Sequence, residues 1–168
     1  KVREKIGYVF QDSDSQLFTS RVYDDVAFAP RNYGLPEPEV EKRVEQALAM
    51  TKITHLKEKQ TYKMSGGEKK LASIATILAM APDIILMDEP SIALDPRNRR
   101  NLIHILNTFD HLKIIASHDL DMVLDTCNRV LLMQEGRIIR DGNAKEILSD
   151  QELLEAHGLE LPLCMQES

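Results

Sequence analysis

Two adjacent carboxylates follow a continuous apolar run in the middle of the chain. Residues 84–87 are Ile-Ile-Leu-Met, and Asp88, Glu89 and Pro90 come directly after them. The run predicts a buried parallel strand, and open α/β sheets bind ligands beyond the carboxyl ends of such strands. Asp88 is therefore a candidate Mg²⁺ ligand, and Glu89 a candidate base that orients and deprotonates an attacking water. Taken alone, the segment also fits a core strand capped by a polar turn.

A second segment is suited to contact phosphate. Residues 64–68 are Met-Ser-Gly-Gly-Glu, and the apolar residues after them have helical spacing. We expect a helix that begins just after Gly66 and Gly67, where a polyphosphate can approach the backbone closely. Exposed N–H groups, the helix dipole and the Ser65 hydroxyl favour negative charge there. An ordinary turn with a Ser N-cap explains the same residues equally well.

A third candidate is His118, which follows the apolar segment 114–116. Residues 113–119 predict another short buried strand that ends in a histidine. Beside the carboxylates of the first strand, His118 could contact the γ-phosphate of a bound nucleotide or the attacking water, and so sense whether nucleotide is present. A lone histidine is more often structural or simply exposed.

These candidates need a scaffold that brings strand ends and a helix start together. Residues 6–10 predict a strand, residues 11–81 a mainly helical region, and residues 37–52 a charged helix within it. From Ile84 the pattern alternates strand and helix, which predicts a parallel sheet with covering helices. Residues 129–141 predict a hairpin that turns at Glu135-Gly136, followed by short helices over 144–157. The basic side chains are predicted to form solvated faces: Lys57, Lys59, Lys63, Lys69, Lys70, Arg97, Arg99 and Arg100.

Composition limits the possible partners. The chain has 168 residues, 43% hydrophobic content and a net charge of −6, which suits one buried core and argues against non-specific binding to nucleic acid. No stretch approaches the ~18 uninterrupted apolar residues of a membrane span. Cys127 and Cys164 lack metal-site spacing and are predicted to be free thiols.

Taken together, the motifs resemble the nucleotide-binding subunit of ATP-binding-cassette (ABC) proteins over residues 9–142. In that family's terms the chain carries the glutamine loop at Gln11, the signature at 64–68, the Walker B strand at 84–89, the D-loop at 91–95 and the switch histidine at His118. The resemblance implies an α/β, P-loop NTPase-type parallel sheet with helices on both faces and a helical subdomain. It implies one partial domain over 1–168: the helical subdomain at about 11–81, the remaining core at about 82–142, and C-terminal helices and tail at 143–168.

The resemblance also implies ATP and Mg²⁺ as cofactors. Asp88 and Gln11 would hold the metal, and Glu89, His118 and Gln11 would act in hydrolysis. Two ATPase subunits, identical or different, would pair head to tail, so that Ser65, Gly66, Gly67 and Glu68 contact the partner's ATP. Asp95 would lie at the dimer interface, although an acidic residue before Pro96 also suits a helix cap.

Segments 11–18, 26–30 and 32–35 are similar to the energising subunits of energy-coupling-factor importers, which take up cobalt, nickel or vitamins. This similarity implies an integral membrane transport subunit as partner and a peripheral location at the cytoplasmic face of the cell membrane. The docking surface would be residues 17–33, with Phe18, Tyr23 and Phe28; the same aromatic residues could instead be core. The alternatives are an ABC-family ATPase not tied to transport, and a non-catalytic regulatory cassette.

The family's phosphate loop, G-x-x-x-x-G-K-[ST], does not occur in these residues. In the family that loop precedes the glutamine loop. We therefore expect the chain to be the carboxyl-terminal part of a longer polypeptide that alone neither binds Mg-ATP tightly nor hydrolyses it. Two residues depart from the family pattern: Met64 replaces the commoner leucine, and Glu68 replaces the commoner glutamine. The Glu68 carboxylate would lie close to the phosphates, or it would point away from them and favour the helix N-terminus.

Overall fold

The computed structural model describes residues 5–166. The chain forms two compact units, one ending at Ala116 and the other beginning at Ser117. Among the described residues no helix is both long enough and apolar enough to cross a membrane.

The first unit is built on a parallel sheet. Strands β1 (Ile6–Val9), β2 (Ile84–Asp88) and β3 (Leu112–Ala116) lie in the order β1-β2-β3, and both pairings are parallel. Parallel neighbours need long crossover connections, and the chain supplies helices for both. The predicted α/β class, the parallel sheet and its three strands are therefore confirmed.

The first crossover contains the helical region. Helices α1 (Val22–Asn32), α2 (Glu37–Met50) and α3 (Gly66–Leu78) pack their apolar faces into one core, and α2 confirms the predicted charged helix. The second crossover is helix α4 (Pro96–Thr108), between β2 and β3. The core residues of the helical region include Val26, Val44, Leu48 and Ala75.

Helix α3 lies very close to one face of the sheet. A Cβ atom added at Gly7 of β1 would overlap Cγ2 of Ile77, so only glycine fits there. The opposite face carries Tyr8, 41% exposed, and Ile114, 55% exposed, in one cross-strand row. The prediction that β3 is a buried strand is therefore wrong for the described residues. The reason is that alternate side chains of a strand point to opposite faces, and Leu112, Ile114 and Ala116 point to the face opposite α3, where they are exposed.

The second unit contains α5 (Leu120–Thr126), the antiparallel strands β4 (Arg129–Gln134) and β5 (Arg137–Asn143), and helices α6 (Ala144–Leu148) and α7 (Gln151–Ala156). Glu135 and Gly136 form the hairpin turn with φ values of 49° and 74°, the conformation of a tight two-residue turn. The predicted hairpin and short helices are confirmed. Val123, Leu148 and Leu154 form the core, and both cysteines are free thiols as predicted.

Candidate functional site

The acidic pair lies at the carboxyl edge of the parallel sheet. Asp88 is the last residue of β2, and Glu89 follows it directly. Val9 pairs with Met87 on the neighbouring strand, so Gln11 leaves β1 at the same edge of the sheet. The predicted position of the carboxylates at a strand end is confirmed.

The backbone of Glu89 is held in an uncommon conformation. Its φ of 43° lies in the left-handed region, which non-glycine residues rarely occupy. The Glu89 N–H donates to the carbonyl oxygen of Ala116 at the end of β3, at 2.9 Å. The side chain is half-buried. Such a conformation costs free energy, and it persists where the surrounding structure fixes it.

The signature segment forms the amino terminus of α3. The helix begins at Gly66, so the two glycines form its first turn and do not precede it as expected. Ser65 caps the helix, because its hydroxyl oxygen accepts from the Glu68 N–H at 3.3 Å. The carboxylate of Glu68 in turn accepts from the Ser65 N–H at 2.7 Å, which completes a capping box.

Glu68 has a second partner in Lys59. The Lys59 ammonium lies 2.9 Å and 3.0 Å from the two carboxylate oxygens. The hydrogen bond from Lys59, followed by that from the Ser65 N–H, lowers the pKa of Glu68 below its ordinary value. Glu68 is thus an ionised carboxylate held at the positive end of the helix dipole, where negative charge is stabilising.

The D-loop, residues 91–95, contacts the start of α3 in the same chain. A Cβ atom at Gly67 would lie 3.2 Å from the carbonyl oxygen of Ala93. Ala93 itself has a φ of 66°. The second glycine of the signature therefore permits a close backbone approach within the chain, in addition to any approach by a ligand.

Asp95 is the N-cap of α4. Its carboxylate accepts from the Asn98 backbone N–H at 2.8 Å and from the Asn98 side chain at 2.9 Å, and Pro96 occupies the first helical position. The helix-cap interpretation of Asp95 is confirmed. The carboxylate is exposed, so its place at a dimer interface stays a prediction.

An open cleft of about 370 Å³ connects these segments. It lies between the glutamine loop (residues 10–16), the start of α3 and the D-loop, and it is lined by Gln11, Asp12, Ser13, Asp14, Gly66, Lys69, Lys70, Ile92 and Ala93. The fold thus brings the predicted residues Gln11 and Gly66 to one cavity. Within residues 5–166 no group of three or more His, Cys, Asp and Glu side chains is arranged to hold a metal ion by itself.

Lys70 corrects the prediction that the basic residues form solvated faces. Its side chain is 1% exposed, and its ammonium donates to the carbonyl oxygens of Phe10 and Gln11 at 3.0 Å and 2.7 Å. A signal for this burial exists in the sequence, because Lys70 has the spacing i, i+4, i+7 with Ile74 and Ile77. Because lysine is charged and usually exposed, this spacing does not by itself predict burial.

His118 belongs to the second unit. It lies between β3 and α5 and is exposed. Asp119, the next residue, caps α5 by accepting from the Met122 N–H at 3.0 Å. The role of His118 as a nucleotide sensor stays a prediction.

Comparison with known proteins bears on these motifs. A family model described as ABC transporter matches residues 1–92. A protein of Geobacter sulfurreducens, provisionally named an ABC transporter ATP-binding protein, is 51% identical over 99% of this chain and 67% of its own length. The energy-coupling factor transporter ATP-binding protein EcfA of Carboxydothermus hydrogenoformans is 42% identical over 99% of this chain and 62% of its own length.

A solved structure is similar over nearly the whole chain. It is cbiO1 of Clostridium perfringens, described as part of the ABC transporter complex cbiONQ, with a TM-score of 0.80 and 43% identity. The match covers 97% of this chain and 66% of that one. The chain thus spans 62% to 67% of the length of these three relatives. The predicted resemblance and fold class are confirmed, and the chain belongs to the ABC transporter family.

Proposed function

We propose that this chain is part of the ATP-binding and ATP-hydrolysing subunit of an ABC importer of the energy-coupling-factor type, with metal ions or vitamins as cargo. The observation that carries the proposal is the acidic pair at the carboxyl end of β2, beside the start of the glutamine loop. The similarity to an energy-coupling factor ATP-binding protein and to a component of the cbiONQ complex supports the importer class.

The chemistry of the oxygen donors supports a Mg²⁺ site. Asp88 and Gln11 offer carboxylate and amide oxygens at the ends of neighbouring strands, and Mg²⁺ is commonly held by one or two carboxylates together with substrate phosphates and water. A bound Mg²⁺ would polarise the phosphoryl oxygens of ATP. The side-chain carbonyl of Gln11 would act either on the metal or on the attacking water.

Glu89 is the proposed general base. It would accept the proton of the water that attacks the γ-phosphate, and a base of this kind contributes about 10² to 10⁴ in rate. The hydrogen bond from its N–H to Ala116 supports a fixed position for this carboxylate. His118 is proposed to contact the γ-phosphate, so that the site distinguishes ATP from its products.

A second ATPase subunit is the proposed partner at the signature. The exposed hydroxyl of Ser65 and the first-turn N–H groups of α3 would contact the partner subunit's ATP, because helix N-termini favour anions. Gly66 and Gly67 would permit the close approach. Glu68 would act through its capping box and not through the phosphate. Asp95 would lie at the interface of the two subunits.

An integral membrane transport subunit is the proposed partner of the helical region. Phe18 is 65% exposed and Phe28 is 44% exposed, and their rings meet edge to face with centroids 4.6 Å apart. Tyr23 is partly buried against the helical core. An exposed aromatic pair supports a docking surface. Docking there would place the subunit at the cytoplasmic face of the membrane.

The test is Mg-ATPase activity of the protein expressed from its full natural reading frame. Glu89→Gln keeps the size of the side chain and removes the base, so turnover should fall by about 10² or more. Glu152→Gln, the same change at an exposed position of α7, is the matched control and should leave turnover unchanged. Activity retained in Glu89→Gln would overturn the assigned base, and an inactive wild type would overturn the ATPase proposal.

A further inference from the structure

Lys70 is a fully buried ammonium at the edge of the candidate site. The side chain extends from the second turn of α3 and reaches the backbone of the glutamine loop, where Phe10 and Gln11 supply carbonyl oxygens at 3.0 Å and 2.7 Å. A buried lysine is costly unless partners replace its water, because the ammonium is strongly hydrated. These carbonyls are such partners.

The charges around Lys70 explain why a cation is tolerated there. Burial lowers the pKa of Lys70, and the carboxylates of Asp12, Asp88 and Glu89 oppose this effect through their negative charge. The ammonium therefore lies within electrostatic range of the two carboxylates proposed for metal binding and catalysis. The ammonium also contacts the backbone of Gln11 directly.

Gln16 makes a second connection between the same two segments. Its side-chain amide donates to the carbonyl oxygen of Ser73 at 2.7 Å and to the hydroxyl of Thr76 at 2.8 Å, both on α3. Its side-chain oxygen accepts from the Phe10 N–H at 3.2 Å. The glutamine loop is thus attached to α3 at its beginning through Lys70 and at its end through Gln16.

We propose that Lys70 is a positioning residue that holds the backbone at Gln11 against α3, so that the glutamine loop and the signature segment move as one body. Helix α3 carries Ser65 and Gly66 at its start, four to five residues before Lys70. A displacement of Gln11 would therefore displace the segment that contacts the partner subunit's ATP. This inference rests on the proposed function for its catalytic meaning and on the contacts of Lys70 for its structural content.

The first experiment uses the protein expressed from its full natural reading frame and needs no activity. Lys70→Met keeps the length of the side chain and removes the donors. Amide hydrogen exchange of peptides that cover residues 10–16 should become at least about tenfold faster, the factor expected when hydrogen bonds to a charged donor are lost. Lys70→Arg, which keeps the charge and the donors, should restore protection. Lys42→Met, on the exposed face of α2, should change nothing.

Two results of that experiment would overturn the proposal. One is unchanged exchange at residues 10–16. The other is an equal increase throughout the first unit, which would make Lys70 an ordinary stabilising residue. If Lys70→Met does not fold, NMR of the wild type provides the test: one lysine ammonium should exchange its hydrogens at least about tenfold more slowly than the exposed lysines. An ammonium exchanging as fast as the rest would overturn the proposal.

Kinetics of the full natural protein separate this proposal from the proposed function. The Lys70 ammonium donates to backbone carbonyls, so Lys70→Met should lower kcat by about tenfold and leave KM for Mg-ATP within about twofold. A decrease in kcat/KM that comes from a higher KM alone would contradict a positioning role. A wild type without ATPase activity would overturn the proposed function, and the exchange data would still decide the role of Lys70.

Discussion

Glu68 allows a direct test of how the signature helix is held, because its carboxylate serves two contacts. It accepts from the Ser65 N–H at 2.7 Å, and it lies 2.9 Å and 3.0 Å from the Lys59 ammonium. Glu68→Gln keeps an oxygen for the cap and removes the charge. Glu68→Ala removes both. The two substitutions therefore separate the charge from the capping hydrogen bond.

The structure sets the expected magnitudes. An ion pair between partly exposed side chains contributes about 0.2–1 kcal/mol, and a negative charge at a helix N-terminus about 0.3–1 kcal/mol. Glu68→Gln should therefore lower the free energy of unfolding by about 1 kcal/mol at pH 7. Glu68→Ala should lower it by about 2 kcal/mol, because half of the capping box is lost as well.

The effect of the charge should depend on pH with a definite sign. Lys59 and the Ser65 N–H lower the pKa of Glu68 in the folded chain. The folded state therefore gains stability from ionised Glu68 above the ordinary glutamate pKa of about 4.3, and it loses that gain as the pH falls through the lowered folded value. The difference between wild type and Glu68→Gln should be full at pH 7 and shrink towards pH 3.

Urea unfolding followed by circular dichroism measures these differences, provided that the m value is the same for all variants. Glu58→Gln is the matched control, because Glu58 is exposed and forms an exposed ion pair with Arg21. It should stay within about 0.5 kcal/mol of the wild type. The reasoning is refuted if Glu68→Gln unfolds at the wild-type midpoint, or if its effect is the same at pH 7 and pH 3.

Two further outcomes follow from the packing. Gly7→Ala should destabilise the chain by about 1–3 kcal/mol, because the added methyl group overlaps Ile77. Calorimetry should show that Gly7→Ala causes a much smaller loss of stability in an Ile77→Ala background. Equal losses in both backgrounds would contradict the overlap. Phe18→Asp should abolish uptake of the importer's cargo while ATPase activity of the isolated subunit persists, since it would disrupt the exposed pair with Phe28. Tyr62→Asp, at another exposed aromatic residue, should leave uptake intact, and uptake by Phe18→Asp at the wild-type level would contradict the docking surface.

Local patterns were sufficient for much of the fold. The apolar run before Asp88 predicted β2, and the spacing after the two glycines of the signature predicted α3. The turn at Glu135-Gly136 predicted the hairpin. These signals are an apolar run, a helical spacing of apolar residues and a turn sequence. Each of them depends on a few consecutive residues. Such signals act over short distances, so they can be read from the chain alone.

The partners of Glu68 and the exposure of β3 depend on contacts between segments that are distant in the chain. The sequence related the charge of Glu68 either to phosphate or to the helix N-terminus, and the structure places it in the helix cap with Lys59 as a second partner. β3 has the composition of a buried strand, but Ile114 points to the face of the sheet opposite α3 and is exposed. No property of the residues themselves distinguishes these outcomes, because each depends on neighbours that are distant in the chain.

The sequence by itself determined the order and chemistry of the motifs, and hence the family, since the acidic pair, the glycines and the cap are defined by residue type and spacing. Only the tertiary structure decided that Lys70 is buried. Its surroundings are made by carbonyls about sixty residues away, which the crossover between β1 and β2 brings to α3. A charge is stable in the interior only where such partners are provided, and the fold provides them.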